Sequence, residues 1–587
     1  MKKNKLFKAR NILFLIGVLF FSNCTKLNEK VLDEVLGEDA SSPAGALAAA
    51  YDRLGKGTFV DHGAVFALQE YTTDEALLPT RGSDWGDGGK WRSMHEFTWA
   101  PDNAIVTDNW NMLTNGITRS LTAIKAASTA NNLPQKDLYI AEAKGLLAYY
   151  TYTTIDLFAQ APYRDPSSEN APLQIRPAAT AIDELITQVE GLIPNLATLG
   201  QQSTHNGRFT KEAAYGLLAN MYLNRAVYKD RYAASFNFNE KAVNSSETDM
   251  DRVIYYTSLL INSGKFRLAS NYFDSFSINN SGAPELIFAI TQKIDYIRNG
   301  SNSFAYVSME RNQRASPANR GTNAACMSPE FYATWDGNHD DPRFSRKYQY
   351  ADGTWFMNNA TGSVPASDIV PQSKNLPWFH FNRGIMAGPQ YGPKLTQAGG
   401  FEMTTDGRIK VSELYMEKST NTRMDFTPEL NFDNPSQAVF AQDQINRGVR
   451  VFKYEFDPEE GNGSSNVDIP LVRLGAIYTM RAEAYFRKGQ TSLALDDINR
   501  LRTSRTRESL YSNAAGVAIS ALDEASLYRE IAFETYWELY RRPQMIRFGK
   551  YEKAFSAKPV SQPFRRVFPI PQTTLDVTKD FRQNPGY

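Results

Sequence analysis

The last twenty-odd residues constrain the fold most. They run Arg566-Val567-Phe568-Pro569-Ile570-Pro571-Gln572 and, after a short polar stretch, finish Gln583-Asn584-Pro585-Gly586-Tyr587. Two prolines within three residues fix φ, remove backbone donors and keep the chain extended. Such a tail is neither a helix nor a central strand. Val567, Phe568, Ile570 and Tyr587 can be buried only against a body that is already folded. The chain therefore predicts a large preformed scaffold that its own C-terminus closes.

The scaffold is legible as helical periodicity. Trp110, Leu113, Ile117, Leu121 and Ile124 recur at steps of three and four, the mark of one buried helix face. Ala143, Leu147, Tyr150, Thr154 and Leu157 repeat that rhythm and stop before Ala161-Pro162-Tyr163. A third helix opens at Thr180 and Asp183, read as a capping pair. A fourth follows Thr210, and a fifth runs from about Met250 to Ile261. An earlier one begins near Ala44. Late in the chain Leu471, Leu474, Tyr478, Ala482 and Tyr485 form a face, Lys488-Gly489 breaks it, and Ala494, Ile498 and Leu501 form its partner. A last long helix is predicted over about 523–541. The lengths match about four tetratricopeptide-type helix pairs.

Between them, residues 265–468 show no sustained helical period and are rich in Gly, Asn, Ser and Pro. A loop-rich insertion with short strands is expected there, and loops carried on a rigid scaffold are where binding residues concentrate. The division is then a helical part over 44–264 with a long loop at 72–102, the insertion, and a closing helical part with the tail over 469–587. The fold class is mainly α.

Composition excludes several functions. Two cysteines, Cys24 and Cys326, cannot form a disulfide scaffold or a cysteine zinc site. Five scattered histidines include no His-x-x-x-His pair, so a metallohydrolase is not indicated, and no cofactor is expected. Five of the 64 basic residues and none of the 64 acids lie in the first 23 positions, which leaves the remainder mildly acidic. That remainder has no basic stripe for nucleic acid.

Those first 23 residues have a basic start followed by a short apolar run, Ile12 to Phe21, too short to span a bilayer as a helix. They are expected to be an export signal. Cys24 directly follows, in the position of a lipidated cysteine, with Asn23 where a small residue is usual. Residues 24–43 then read as a polar tether behind a lipid anchor, whose acyl methylenes would each contribute roughly 0.8 kcal/mol of membrane affinity.

Six separated blocks, in order, resemble those of the SusD/RagB family of outer-membrane nutrient-binding lipoproteins. They are Ala141-Glu-Ala-Lys-Gly-Leu-Leu-Ala-Tyr-Tyr150 with Asp156-Leu-Phe158, Ser263-Gly-Lys-Phe266, Asp468-Ile-Pro-Leu-Val-Arg473, Arg481-Ala-Glu-Ala-Tyr485, Glu538 to Lys550, and the tail itself. Leu147, Gln160, Gly475, Leu539, Pro543 and Gln544 depart from the pattern. The resemblance implies a SusD-like fold, oligosaccharide capture at the cell surface, and a SusC-like TonB-dependent transporter as partner. It implies no catalysis. Glu142, Arg481, Glu483, Glu530, Glu534, Arg541 and Arg547 fall within helix patterns and are read as structural ion pairs.

The loop Thr73–Trp91 is the leading binding candidate. It holds four glycines and two tryptophans with Arg81, Asp84 and Asp87 between them. Sugars stack their C–H faces on flat rings while charged and amide groups fix their hydroxyls. Trp85 is the expected platform, flanked by Arg81, Asp84, Asp87 and Trp91. Tyr306, Trp335, Trp355 and Trp378 are further candidates from the insertion, and Trp99 a lesser one. Asp336 to Asp341 is rich in oxygens but lacks the spacing of a calcium loop and is read as a turn. Two rival readings stay open. A glycoside hydrolase needs two carboxylates about 5–9 Å apart in a cleft. A lipidated helix-pair adaptor that binds peptide needs buried tryptophan loops and an open concave face.

Overall fold

The computed structural model describes residues 42–168, 170–294, 303–314, 319–346, 379, 381–430, 445–459, 462–506 and 515–587, and the backbone of the short strands Tyr348–Gln349, Trp355–Phe356, Gly362–Pro365 and Val439–Phe440. The leader, Cys24, the tether to residue 41, and Trp378 lie outside the described residues.

The N-terminal scaffold is built from α1 (Pro43–Arg53), α2 (Val65–Glu70), α3 (Lys90–Glu96), α4 (Ala104–Thr129), α5 (Lys136–Phe158), α6 (Ala178–Leu192), α7 (Lys211–Lys229) and α8 (Asp249–Ile261). Neighbouring helices pack pairwise, α4 on α5, α6 on α7 and α7 on α8. Local chemistry sets their starts. Asn103 accepts the N–H groups of Ile105 and Val106, Thr210 accepts that of Ala213, and Thr248 and Asp251 form a capping box. The expected Thr180–Asp183 cap is not used: α6 begins two residues earlier, at Ala178, behind Pro177, which is extended and ends the preceding strand. Helix α5 is buried on almost every side from Ala141 to Phe158, because α4, α6, α7 and α1 all contact it. Small residues allow the close approach. A Cβ at Gly145 would sit 2.2 Å from the Phe209 ring.

The closing part comprises α9 (Leu474–Arg487), α10 (Thr491–Ser504), α11 (Glu524–Thr535) and α12 (Arg541–Arg547). Helix α9 packs on both α8 and α10, so the two helical parts form one continuous stack. Two expectations are corrected here. Leu471 belongs to a strand, Ile469–Arg473, paired antiparallel with Leu286–Ile290. The long helix expected over 523–541 ends at Thr535, and a separate helix begins only at Arg541. Trp537 and Leu539 take left-handed backbone angles of φ +60° and +71°, and no α-helix passes through such residues.

Short strands and turns of helix fill the insertion. Arg383–Met386 pairs with Arg450–Phe452, and the helical turns Ser303–Tyr306 and Pro329–Ala333 lie on the loop side. The tail behaves as its prolines require. Val567, Phe568 and Ile570 are fully buried. Phe568 donates its N–H to the Leu157 carbonyl at 2.7 Å, and the Asn584 amide donates to the carbonyls of Phe158 and Phe568. The C-terminus thus seals the end of α5.

The helix-borne carboxylates are ion-paired in the interior. Glu142 takes a two-pronged bond from Arg208, and Arg481 holds Asp497. Glu530 meets Arg343 and Arg502, Glu534 meets Arg473 and Arg505, and Glu538 meets Arg473 and Lys453. Buried charges persist only when compensated in this way.

Candidate functional site

The 72–102 loop is pinned to the insertion by backbone bonds. Leu77 and Cys326 exchange N–H···O contacts of 2.8 and 2.9 Å. Beyond them the chain makes a tight turn in which Arg81 and Asp84 exchange two further backbone bonds of 2.9 Å. Gly82, Trp85, Asp87, Gly88 and Gly89 all take positive φ. Glycine does so without steric cost; a tryptophan does not, and its neighbours must hold it there.

The Trp85 indole donates to the Thr322 carbonyl at 3.0 Å and lies edge-on to His62 and to Trp91, with centroids 5.6 and 5.8 Å away. It is half-buried and packs against the core. His62 is stacked on Trp91 at 5.3 Å and shares a 3.2 Å hydrogen bond with the Tyr71 hydroxyl through Nδ1. Burial lowers its pKa against the opposing pull of Asp61, with a lesser contribution from Lys90. The ring beneath the platform is therefore held neutral.

Asp84 ties this turn to two distant segments. Its Oδ2 accepts from Arg311 at 2.8 Å and its Oδ1 from Lys418. Partial burial pushes the carboxyl up, but bonds from Lys418 and Arg311 outweigh it and hold the group below the usual carboxylate range. It is thus a fixed anion, unsuited to donating a proton. Asp87 is exposed and accepts from the Trp91 indole at 2.7 Å.

Arg81 is placed otherwise than expected. Its side chain is buried, and its Nε and Nη1 donate to the carbonyls of Ala324, Ile445 and Arg447. It holds the loop on the insertion and offers no edge to solvent. Trp91 is buried under the turn, and Trp99 is buried with its indole bonded to the Tyr587 hydroxyl. Trp335 is fully buried, stacked on Phe533 with centroids 3.5 Å apart, so it is a core residue. Tyr306 is half-exposed on the short turn beside Ser303, whose hydroxyl accepts the His62 N–H. Trp355 is described only through its backbone, where it pairs with Gln349.

The loop and insertion together bring Trp85, Asp84, Asp87, Arg311, Lys418 and Tyr306 into one region. His62, Thr322, Arg311 and Lys418 were not foreseen. No periodicity or motif marks them, because they reach the loop across large sequence separations.

Among the described residues no group of three His, Cys, Asp or Glu side chains is placed to hold a metal ion. Asp341 spends its oxygens on the Arg343 backbone N–H and guanidinium, the turn-capping role read from its sequence. No helix among the described residues is long and apolar enough to cross a membrane.

A stack of helix pairs carries a loop-rich unit, and a half-buried indole sits at their junction. A sequence model described as the SusD family matches residues 284–563 of this chain. The chain is 23% identical over 551 residues to the starch-binding protein SusD of Bacteroides thetaiotaomicron, covering 89% of this chain and 85% of that protein. Its fold matches a laminarin-binding SusD-like protein with a TM-score of 0.60 at 15% identity, covering 93% of this chain and 99% of that one. It also matches surface glycan-binding protein A from Bacteroides thetaiotaomicron in complex with laminarihexaose, with a TM-score of 0.59 at 17% identity and coverage of 92% and 98%. These relatives are named for binding glycans, not for cleaving them.

Proposed function

We propose that this chain is a cell-surface lipoprotein that captures an oligo- or polysaccharide and hands it to a SusC-like TonB-dependent transporter. The observation that carries the capture is the Trp85 turn. A strained, half-buried indole is fixed by the Thr322 carbonyl and backed by neutral His62 and by Trp91. Pre-fixing an aromatic ring removes ordering cost from binding. Exposed Asp87, Lys418 and half-exposed Tyr306 lie on elements around it and would meet hydroxyls. The pairing of Asp84 with two cations argues against a general-acid role for it, because a carboxylate held ionised has no proton to give a leaving group. The surface location rests on the expected lipidation of Cys24, and the transporter on the resemblance to the SusD family.

The test is affinity electrophoresis of the mature chain from Thr25 against soluble polysaccharides, with Trp85→Ala alongside. Retardation by one polysaccharide, lost in the variant and without product formation, supports the reading. Retardation that survives Trp85→Ala removes the platform role. Anchoring is read separately, by radiolabelled palmitate incorporation that Cys24→Ala abolishes.

A further inference from the structure

A second cleft opens on the scaffold. It has a volume of about 350 Å³ and lies between the 236–239 segment, the end of α9, the start of α11 and Phe548. It shares no residue with the Trp85 turn. Its size falls within the range of small-molecule sites, roughly 300–1,000 Å³.

Its floor is a locked arginine. Arg487 donates through Nε and Nη2 to Glu483 Oε1 at 2.9 and 2.7 Å, while Arg547 holds the same carboxylate from the other side. The guanidinium is stacked 3.7 Å over the Phe238 ring and 4.9 Å from Phe548. Its Nη1 makes no hydrogen bond to any described residue. An arginine with two donors tied and one edge left over is a preorganised donor for an incoming oxygen.

The rim supplies complementary groups. Asn237 is exposed; its Oδ1 accepts the Asn239 N–H, while its amide nitrogen has no described acceptor. Glu524 is exposed and acts on Arg487 through space rather than by a direct bond. Phe236, Phe486 and Phe548 are half-buried and contribute apolar ring surface. Glu524 opposes an anion, and Arg487 opposes a cation. What fits both is a neutral ligand with an apolar face and a hydroxylated edge.

We propose that this cleft is a second saccharide site, which takes one or two sugar rings through Arg487 Nη1, Asn237 and Glu524, with the ring faces on the phenylalanines. That the neutral ligand is a sugar rests on the glycan reading of the Trp85 turn; that a ligand site exists here does not. Two sites on one chain would hold a polysaccharide at two points and raise its avidity without new contacts at either.

The experiment titrates the mature chain with neutral hexasaccharides of glucose, mannose, xylose and fructose by calorimetry and saturation-transfer NMR. Wild type, Trp85→Ala, Asn237→Ala with Glu524→Gln, and Phe236→Ala are compared, with thermal midpoints as the check on folding. Asn237 and Glu524 are exposed, so their variant keeps the fold. Trp85→Ala is expected to retain a weaker binding phase, and adding the Asn237/Glu524 changes to weaken that phase at least tenfold. Loss of all binding in Trp85→Ala overturns the second site and leaves the first intact. A residual phase indifferent to the cleft substitutions also overturns it. Silence of the wild type toward every sugar overturns the saccharide assignment at both places.

Discussion

Glu75 accepts the main-chain N–H of Trp537 at 3.0 Å, across 462 positions of sequence. Its own carbonyl takes the Trp537 indole N–H at 3.1 Å, and Glu70 takes the Leu539 N–H at 2.6 Å. Two buried carboxylates thus satisfy the backbone that the break between α11 and α12 releases. They sit at the end of α2 and the root of the binding loop, so the loop and the C-terminal helices share one junction.

That junction titrates. Burial raises the Glu75 carboxyl to about 7, against the pull of Arg541 and with a push from Asp74; burial, then Glu75 itself, raises Glu70 well above its ordinary value. Glu70 and Glu75 hydrogen-bond each other once one of them is protonated, no other donor reaches Glu70 Oε2 or Glu75 Oε1, and Arg541 Nε stays 3.7 Å from the latter. Arg541 is committed to Asp74, and Lys453 to Glu538. The folded state therefore holds protons that the unfolded chain has released above about pH 4.5. Stability from this pair is complete below that value and falls as the pH rises toward 7. Thermal midpoints of wild type and Glu75→Gln, compared from pH 4.5 to 8, are expected to diverge in slope, with the variant flatter over this window. Parallel curves would contradict the assignment.

Glu534 lies beneath three guanidinium groups. Its Oε1 accepts from Arg473 at 2.7 Å and Arg505 at 2.9 Å, and its Oε2 is 3.6 Å from Arg343. Glu534→Gln removes the charge and leaves the arginines under-compensated. The expected cost is about 3–5 kcal/mol, read by urea denaturation. A loss below about 1 kcal/mol would mean that Glu530, Glu538 and Glu285, which pairs with Arg473 and Arg505, already suffice.

Trp335→Ala separates packing from binding. The indole is fully buried against Phe533, so truncation is expected to cost about 3–5 kcal/mol. Polysaccharide retardation at a temperature where the variant remains folded should match wild type. Loss of retardation with a native circular dichroism spectrum would restore Trp335 as a ligand contact.

Asn584→Ala tests the closure by the tail. Its amide nitrogen donates 2.9 and 2.7 Å bonds to the Phe158 and Phe568 carbonyls. Stranding those acceptors is expected to cost about 1–3 kcal/mol. Hydrogen exchange at the Phe568 amide, which bonds Leu157, should accelerate ahead of the amides of α7. Unchanged protection would show that the buried Phe568 and Ile570 hold the tail without the amide.

The helices were legible because their apolar faces repeat every three to four residues, and a period needs no knowledge of distant partners. The extended, buried tail followed from proline geometry, and the ion pairing of the carboxylates from their places within helix patterns. The break at Trp537 and Leu539 was not legible: local propensity favours helix there, and only Glu70 and Glu75, brought up from the other end of the chain, take over the freed N–H groups. The binding candidates divide in the same way. Composition marked the turn rich in glycine and tryptophan, but the burial of Arg81, Trp91 and Trp335, and the approach of His62, Thr322, Arg311 and Lys418, depend on contacts between segments far apart in sequence. Periodic and covalent constraints act locally and can be read from residue order. Which ring keeps a face toward solvent is decided only when separate elements compete for the same volume.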